Sequence, residues 1–243
     1  MAGVLAGAAP LGGPGGASAA AAGPDGASAA AVLTSVTENP NFNQYWYSAA
    51  TIAALAAEID VLRPATRVGS RAPPEAPAGG ARAHARVAFL CTPSLFFAFP
   101  AATRAARGYV LLDIDTAAFG SEAGFERLDF LSAAPLPPHL AGAFDAVVID
   151  PPFITADVWA AAARCARALL GADGEAGDLA GGQIIATTVR ENAALLAQLL
   201  AARRVAFRPS IPHLVYQYDA FVSGFEPQVL CARNAEVPDE DEP

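Results

Sequence analysis

An α/β domain built on one mostly parallel β-sheet is predicted by three features of this 243-residue chain. Short apolar runs alternate with segments of helical length, which places helices on both faces of a single sheet. The run at 146–149 is apolar throughout, as expected of a central strand buried on both sides. Polar residues follow four of the apolar runs, and ligands of open α/β sheets bind beyond the carboxyl ends of the strands.

The elements follow in order. Ser48 is placed to cap a helix whose apolar positions are Ile52, Leu55, Ile59 and Leu62. A strand at 87–91 runs into Thr92-Pro93-Ser94, and a helix is expected across 95–107. The next strand, 109–114, carries Asp113 at its end and leads to Asp115, and a short strand at 125–130 carries Asp129 and Phe130. The run at 146–149 precedes Asp150. Thr155 is placed to cap a helix with Val158, Ala162, Cys165 and Leu169 on one face. A buried strand at 183–189 and a leucine-bearing helix at 191–202 come next. Segments 205–207 and 215–222 would finish the sheet as an antiparallel pair. In this arrangement Thr92, Ser94, Asp113, Asp115, Asp129 and Asp150 would line one crevice.

The remaining segments are unlike these. Residues 1–36 are Ala, Gly, Ser and Pro with almost no large apolar side chain, too little to offset their ordering entropy, and read as a disordered tail. Residues 64–84 read as an inserted Pro/Gly-rich surface loop, and 171–182 as a shorter glycine-rich one. The chain is expected to fray from Asn234 into an acidic tail, leaving a domain at 37–232 and a tail at 233–243.

Composition narrows the function classes. Hydrophobic content is 53%, but much of it is alanine, which buries little. All 15 basic residues are arginine, which fits a GC-rich coding sequence. Net charge is −9, with Glu236, Asp239, Glu240, Asp241 and Glu242 crowded at the end. Such a chain is a poor electrostatic match to nucleic acid, and its densest basic pair is Arg203-Arg204. Cys91, Cys165 and Cys231 are isolated, which argues against a structural metal or disulfide framework and fits the reducing cytoplasm. No run is long and apolar enough for a membrane span, and residues 1–35 lack the features of a signal or transit peptide.

The chemistry concentrates at Asp150-Pro151-Pro152-Phe153. Prolines directly after a buried strand end its pairing and fix the chain direction, giving a rigid loop with a carboxylate at one end and an aromatic face at the other. A carboxylate or carbonyl that accepts an amine's hydrogens aims its lone pair, as an amine attacking a methyl carbon requires. Phe153 suits a flat base or an alkylammonium stem. The plainer reading is a proline-rich loop with Asp150 capping the next helix. Asp113 is the preferred acceptor for ribose hydroxyls, with Asp115 as alternative or as a surface carboxylate. Asp129-Phe130 would hold adenine, or be a solvated strand end. The first turn, Cys91-Thr92-Pro93-Ser94, lacks the glycines usual in nucleotide folds. The aromatic cluster at 45–47 is either an apolar cover for the core or a lid, with Trp46 or Tyr47 closing over cofactor and amine.

Gln-Tyr-Trp-Tyr-Ser at 44–48, Thr-Pro-Ser at 92–94, Asp-Ile-Asp at 113–115 and Asp-Pro-Pro-Phe at 150–153 together resemble the translation elongation factor 1-alpha lysine methyltransferase family. Its members were once described as adenine-specific DNA methyltransferases because of the Asp-Pro-Pro-aromatic motif. The resemblance spans roughly residues 39–226. It implies a class I, seven-stranded Rossmann-like fold with an antiparallel last strand, S-adenosyl-L-methionine as cofactor, and a lysine of elongation factor 1-alpha as acceptor. It implies Asp150, Pro151, Pro152 and Phe153 as catalytic residues. A cofactor site of Thr92, Pro93, Ser94, Asp113, Asp115, Asp129 and Phe130 goes with it. No metal, a cytoplasmic location and a monomer are expected. The family has an Ala-Pro-Ser-like first turn, so missing glycines are no objection. Phe153 stands where many members have tyrosine, Tyr216-Gln217-Tyr218 replaces an Asn-Glu-Phe-like segment, and loop 64–84 is extra. The competing acceptor is the amino group of adenine in RNA or DNA, which shares the motif and requires a splayed base. A catalytically silent binding protein is the third reading.

Overall fold

The computed structural model describes residues 44–65, 82–132, 134–172 and 178–238. The tail expected at 1–36, most of the loop at 64–84, part of the loop at 171–182 and the last acidic residues lie outside the described residues. Seven strands form one sheet: β1 Val87–Leu90, β2 Val110–Asp113, β3 Phe125–Arg127, β4 Ala146–Ile149, β5 Gln183–Val189, β6 Arg203–Arg204 and β7 Tyr218–Ser223. Their order is β3-β2-β1-β4-β5-β7-β6. The first five are parallel, and β7 pairs antiparallel with both β5 and β6.

The apolar runs are explained by burial on two faces. Side chains alternate across a strand, so one run feeds two cores. Val87, Phe89, Ala146, Val148 and Ile185 enter one core; Ala88, Leu90, Val147, Ile149 and Ile184 enter the other. The first core is covered by α1 (Ala49–Val61), α2 (Pro93–Phe97) and Phe119 of α4 (Thr116–Phe119). The second is covered by α5 (Ala156–Leu170) and α6 (Ala193–Leu200). Ser48 caps α1 as expected, its hydroxyl accepting the Thr51 N–H at 3.1 Å.

Several expectations are corrected. The single helix expected at 95–107 is two, α2 and α3 (Ala101–Arg107), because Pro100 is extended and has no N–H to continue the first. Thr155 precedes α5 but its side chain makes no capping hydrogen bond. Residues 190–192 form a 3-10 turn before α6. The strand expected at 205–207 pairs earlier, at β6, although the Val205 N–H still reaches the Ala220 carbonyl at 3.0 Å. The third strand is shorter than expected and ends before Asp129.

Fraying from Asn234 is also corrected for residues 234–238. Asn234 is 8% exposed, and its amide donates to the Arg208 carbonyl at 2.9 Å and to Thr51 Oγ1 at 3.3 Å. Glu236 accepts from the Ser48 hydroxyl. The C-terminal segment is thus tied to the start of α1.

Two buried carboxylates hold connections at the opposite edge. Asp145 accepts the Ala65 and Arg86 N–H groups (3.1 and 2.8 Å) and pairs with Arg82 at 2.8 Å, so Ala65 and Arg82, 17 positions apart, meet one side chain. Glu58 of α1 accepts the successive N–H groups of Gln228, Val229 and Leu230 at 2.7–3.1 Å. These are charge-assisted bonds with no solvent to replace them. Glu58→Gln is expected to cost about 3 kcal/mol, read as a lower urea midpoint at unchanged m-value. A midpoint equal to the parent's would contradict this role for Glu58.

Candidate active site

A cavity of about 260 Å³ lies at the carboxyl ends of the parallel strands, and nearly every residue singled out in the sequence lines it. Thr92, Pro93 and Ser94 come from the turn after β1, Asp113 from the end of β2, Asp129 and Phe130 from the segment after β3, and Asp150 through Phe153 from the loop after β4. Trp46 and Tyr47 reach it from the segment before α1.

Asp115 is the exception. It does not line the cavity; its carboxylate caps α4 by accepting the Ala118 N–H at 3.0 Å, and its own N–H donates to Asp113 Oδ1 at 2.9 Å. It is buried, so it is not a surface carboxylate, and unlike the equally buried Asp113 it is turned to α4 rather than the cavity. Two contrasting outcomes follow for alanine variants. Asp113→Ala should weaken cofactor binding roughly 10- to 100-fold by calorimetry, the loss of one charge-assisted contact. Asp115→Ala should cost about 1 kcal/mol of stability as a lost cap, with near-parental cofactor affinity. The reverse pattern would transfer the ribose role to Asp115.

Asp150 is held at the base of the cavity. The Tyr47 hydroxyl donates to its Oδ2 and lies 2.6 Å from Thr187 Oγ1 of β5. Burial pushes the Asp150 carboxyl up to about 7, with the Tyr47 and Thr187 hydroxyls pulling it back down. The loop beyond is braced: the Asn192 amide donates to the Ile154 carbonyl at 2.8 Å and to Thr188 Oγ1 at 3.0 Å. Pro151 is buried and Phe153 is half-exposed. Burial also raises the Asp113 carboxyl, against the N–H bonds it accepts.

Tyr47 matches the core-cover alternative while also lining the cavity. It is 5% exposed, belongs to the core, and is fixed by two hydroxyl contacts. Trp46 packs partly buried against the same core while lining the cavity. The sharp first turn is made by Cys91 at φ 57°, the left-handed backbone that glycine normally supplies.

Sequence reasoning missed several contributors. Tyr218, at the start of β7 opposite Val189, lines the cavity, and burial followed by the Asp150 charge raises its phenol. Gln44, Tyr45, Cys91, Ile114, Leu131, Ile211 and Leu214 complete the lining. Thr187 lies in an apolar strand and gave no signal apart from its polarity in a buried run.

Among the described residues, the lining holds three carboxylates, Asp113, Asp129 and Asp150, and no arginine or histidine. Among the described residues, the buried Thr92 hydroxyl and both amide atoms of Gln44 lack a protein partner. Buried polar groups are normally satisfied, so these donors and acceptors await a ligand. Carboxylates, orphaned polar atoms and aromatic walls suit a cation carrying a ribose and a base, so S-adenosylmethionine fits the residues present.

The strand order β3-β2-β1-β4-β5-β7-β6, with β7 reversed and the cavity beyond the parallel strand ends, defines a class I methyltransferase fold. The chain belongs to the family described as "Probable N6-adenine methyltransferase", whose model matches residues 38–227. No curated protein sequence matches it. Two solved structures of the branched-chain polyamine synthase from Thermus thermophilus, one of them a C9 mutein, are similar at TM-scores of 0.49 and 0.47, each 16% identical. Both are in complex with N4-aminopropylspermidine and 5′-methylthioadenosine. In each case 82% of this chain is covered, and the chain spans 62% of the other's length. No helix among the described residues is long and apolar enough to cross a membrane.

Proposed function

We propose that the protein is an S-adenosylmethionine-dependent N-methyltransferase whose acceptor is a lysine amine of a protein, elongation factor 1-alpha. The observation that carries the reading is the charge of the cavity: three carboxylates, one of them fixed by Tyr47 and Thr187, and no cationic side chain among the described residues of the lining. Such a cavity attracts an alkylammonium group and repels a phosphate. Its aromatic walls, Trp46, Phe153 and Tyr218, suit the apolar stem of lysine as well as its charge.

S-Adenosylmethionine, when bound, supplies an electrophilic methyl group on sulfonium. Asp113 would accept the ribose hydroxyls, and Asp129 with Phe130 would receive the adenine. Asp150 and the Pro151 carbonyl accept the hydrogens of the neutral amine and so aim its lone pair. With S-adenosylmethionine bound, the lone pair so aimed would take the methyl carbon from sulfur, which would keep the electrons of the broken bond. The surplus proton leaves the product nitrogen to ionised Asp150 or to water. With its carboxyl near 7, Asp150 is available in ionised form above neutrality. The buried Tyr47 and Tyr218 shield the Asp150 side of the transfer from water.

A second reading, methylation of adenine in RNA or DNA, draws support from the family's description and from one cluster: Arg190, Arg204 and Arg208 all pair with Asp219. Asp219 follows Tyr218 in β7, so the two side chains project to opposite faces of the sheet, and the arginines gather on the face away from the cavity wall.

The deciding experiment offers labelled S-adenosylmethionine with purified elongation factor 1-alpha, ribosomal RNA and single-stranded DNA in separate reactions. Label in the factor alone is expected. Label in nucleic acid but not in the factor would replace the first reading by the second. No label, together with no cofactor binding, would leave a silent binding protein.

A further inference from the structure

Among the described residues, five large apolar side chains are exposed: Ile114, Leu131, Phe153, Val215 and Tyr216. None is scattered. Ile114, Leu131 and Phe153 line the cavity, and Val215 and Tyr216 lie in the short segment between Leu214 and Tyr218, which line it too. Exposed apolar side chains gathered at one place on an otherwise polar surface mark an interaction site.

The five divide by their neighbours. Ile114 and Leu131 adjoin Asp113, Asp129 and Phe130, the residues assigned above to the cofactor. Phe153 belongs to the Asp150 loop, and the segment carrying Val215 and Tyr216 enters β7 at Tyr218, whose phenol is raised in part by the Asp150 charge. Val215 is 87% exposed and Tyr216 61%, and no cofactor contact accounts for either.

We propose that Phe153, Val215 and Tyr216 form a docking surface for a folded protein, seated around the amine-bearing side chain that enters the cavity. The inference rests on the lysine reading and adds how the acceptor is recognised. Charge selects the occupant. Among the described residues, the cavity beneath the surface holds carboxylates and no cation, which draws a basic side chain. A nucleic-acid strand would bring phosphates over this rim, where Phe153 and Val215 offer no donor, Tyr216 a single hydroxyl, and His213 is the one side chain of segment 211–218 able to carry a positive charge. A folded protein presenting a lysine amid apolar neighbours meets both requirements, and tyrosine with flanking apolar groups is the usual make-up of an interface centre. An unfolded or short peptide would present the amine without the apolar surround.

The test uses the full chain and native elongation factor 1-alpha, with Val215→Asp/Tyr216→Asp as the variant. Neither residue lines the cavity. The expected result is a KM for the factor raised about tenfold or more, with kcat and the Kd for S-adenosylmethionine near parental values. The milder Tyr216→Ala should raise KM about threefold and guards against misfolding of the double variant. An unchanged KM in both variants, with the factor labelled normally, overturns the docking surface and leaves the lysine reading standing. A wild-type protein that binds the cofactor yet labels only RNA or DNA overturns both.

Discussion

Asp150→Asn is expected to lower methyl transfer by a factor on the order of 10³ while leaving the fold and cofactor affinity intact. The amide is nearly isosteric and can still accept from the Tyr47 hydroxyl, so the cavity keeps its shape. It lacks the charge, however, and it presents N–H donors where the amine's hydrogens need an acceptor. Single-turnover rates at saturating cofactor read the effect directly. A rate within threefold of the parent's would remove Asp150 from the mechanism.

The same residue sets a pH dependence. Its carboxyl is pushed to about 7, so the ionised fraction, and with it the rate, should rise with pH through neutrality. Stability should run the other way. The unfolded chain releases this proton near pH 4, whereas the folded chain keeps it to about 7, so the native state binds more protons across that window. Stability therefore falls as pH rises from about 4 to 7 and then levels, by on the order of 2–4 kcal/mol before solvent screening of this partly buried group. Asp150→Asn should match the parent at pH 4 and exceed its Tm at pH 8. A Tm difference independent of pH would show that Asp150 ionises as an ordinary carboxyl. A fold that holds a charge at a cost to its own stability is expected where that charge has work at a site.

Tyr47→Phe is the second large effect. It removes one hydroxyl that serves two partners, Asp150 Oδ2 and Thr187 Oγ1, and leaves Thr187, 2% exposed, without that bond. The stability cost should be about 1–3 kcal/mol. Methyl transfer should drop roughly 10- to 100-fold, because the carboxylate is no longer locked in one orientation. A purely structural role would stop there. The Tyr47 hydroxyl pulls the Asp150 carboxyl down, so its loss should also move the acid limb of the rate profile to higher pH. Coupling is the further check: Tyr47→Phe added to Asp150→Asn should cost the rate little more than Asp150→Asn alone. An acid limb that stays in place would make Tyr47 a core residue only.

The parallel part of the fold was legible because burial on both faces demands continuous apolar runs, and 146–149 and the first half of β5, 184–186, have them. Boundaries were less legible where one residue overrules a pattern. Pro100 divides a helix that apolar spacing alone would carry through. Asn234 anchors a segment that composition assigns to a loose tail, since one buried amide outweighs the charge of its neighbours.

The site divides in the same way. Sequence alone determined only the strand-end part of the cavity lining: residues at the carboxyl ends point to one edge of any parallel sheet, so Thr92, Asp113, Asp129 and Asp150 converge once the strands are recognised, whereas Tyr218 and Gln44 gave no such signal. Only the tertiary structure decided the parts each residue plays. Asp113 and Asp115 look equivalent two residues apart, yet one faces the cavity and the other caps α4, because the chain turns between them. Tyr47 and Asp150 are 103 positions apart, and no local rule links them. Their contact exists because α1 packs on the same core face that β1 and β4 build, which carries the residue just before the helix down to the strand end. Periodicity and motif report what each segment buries and exposes; which hydroxyl meets which carboxylate depends on packing between segments distant in the chain.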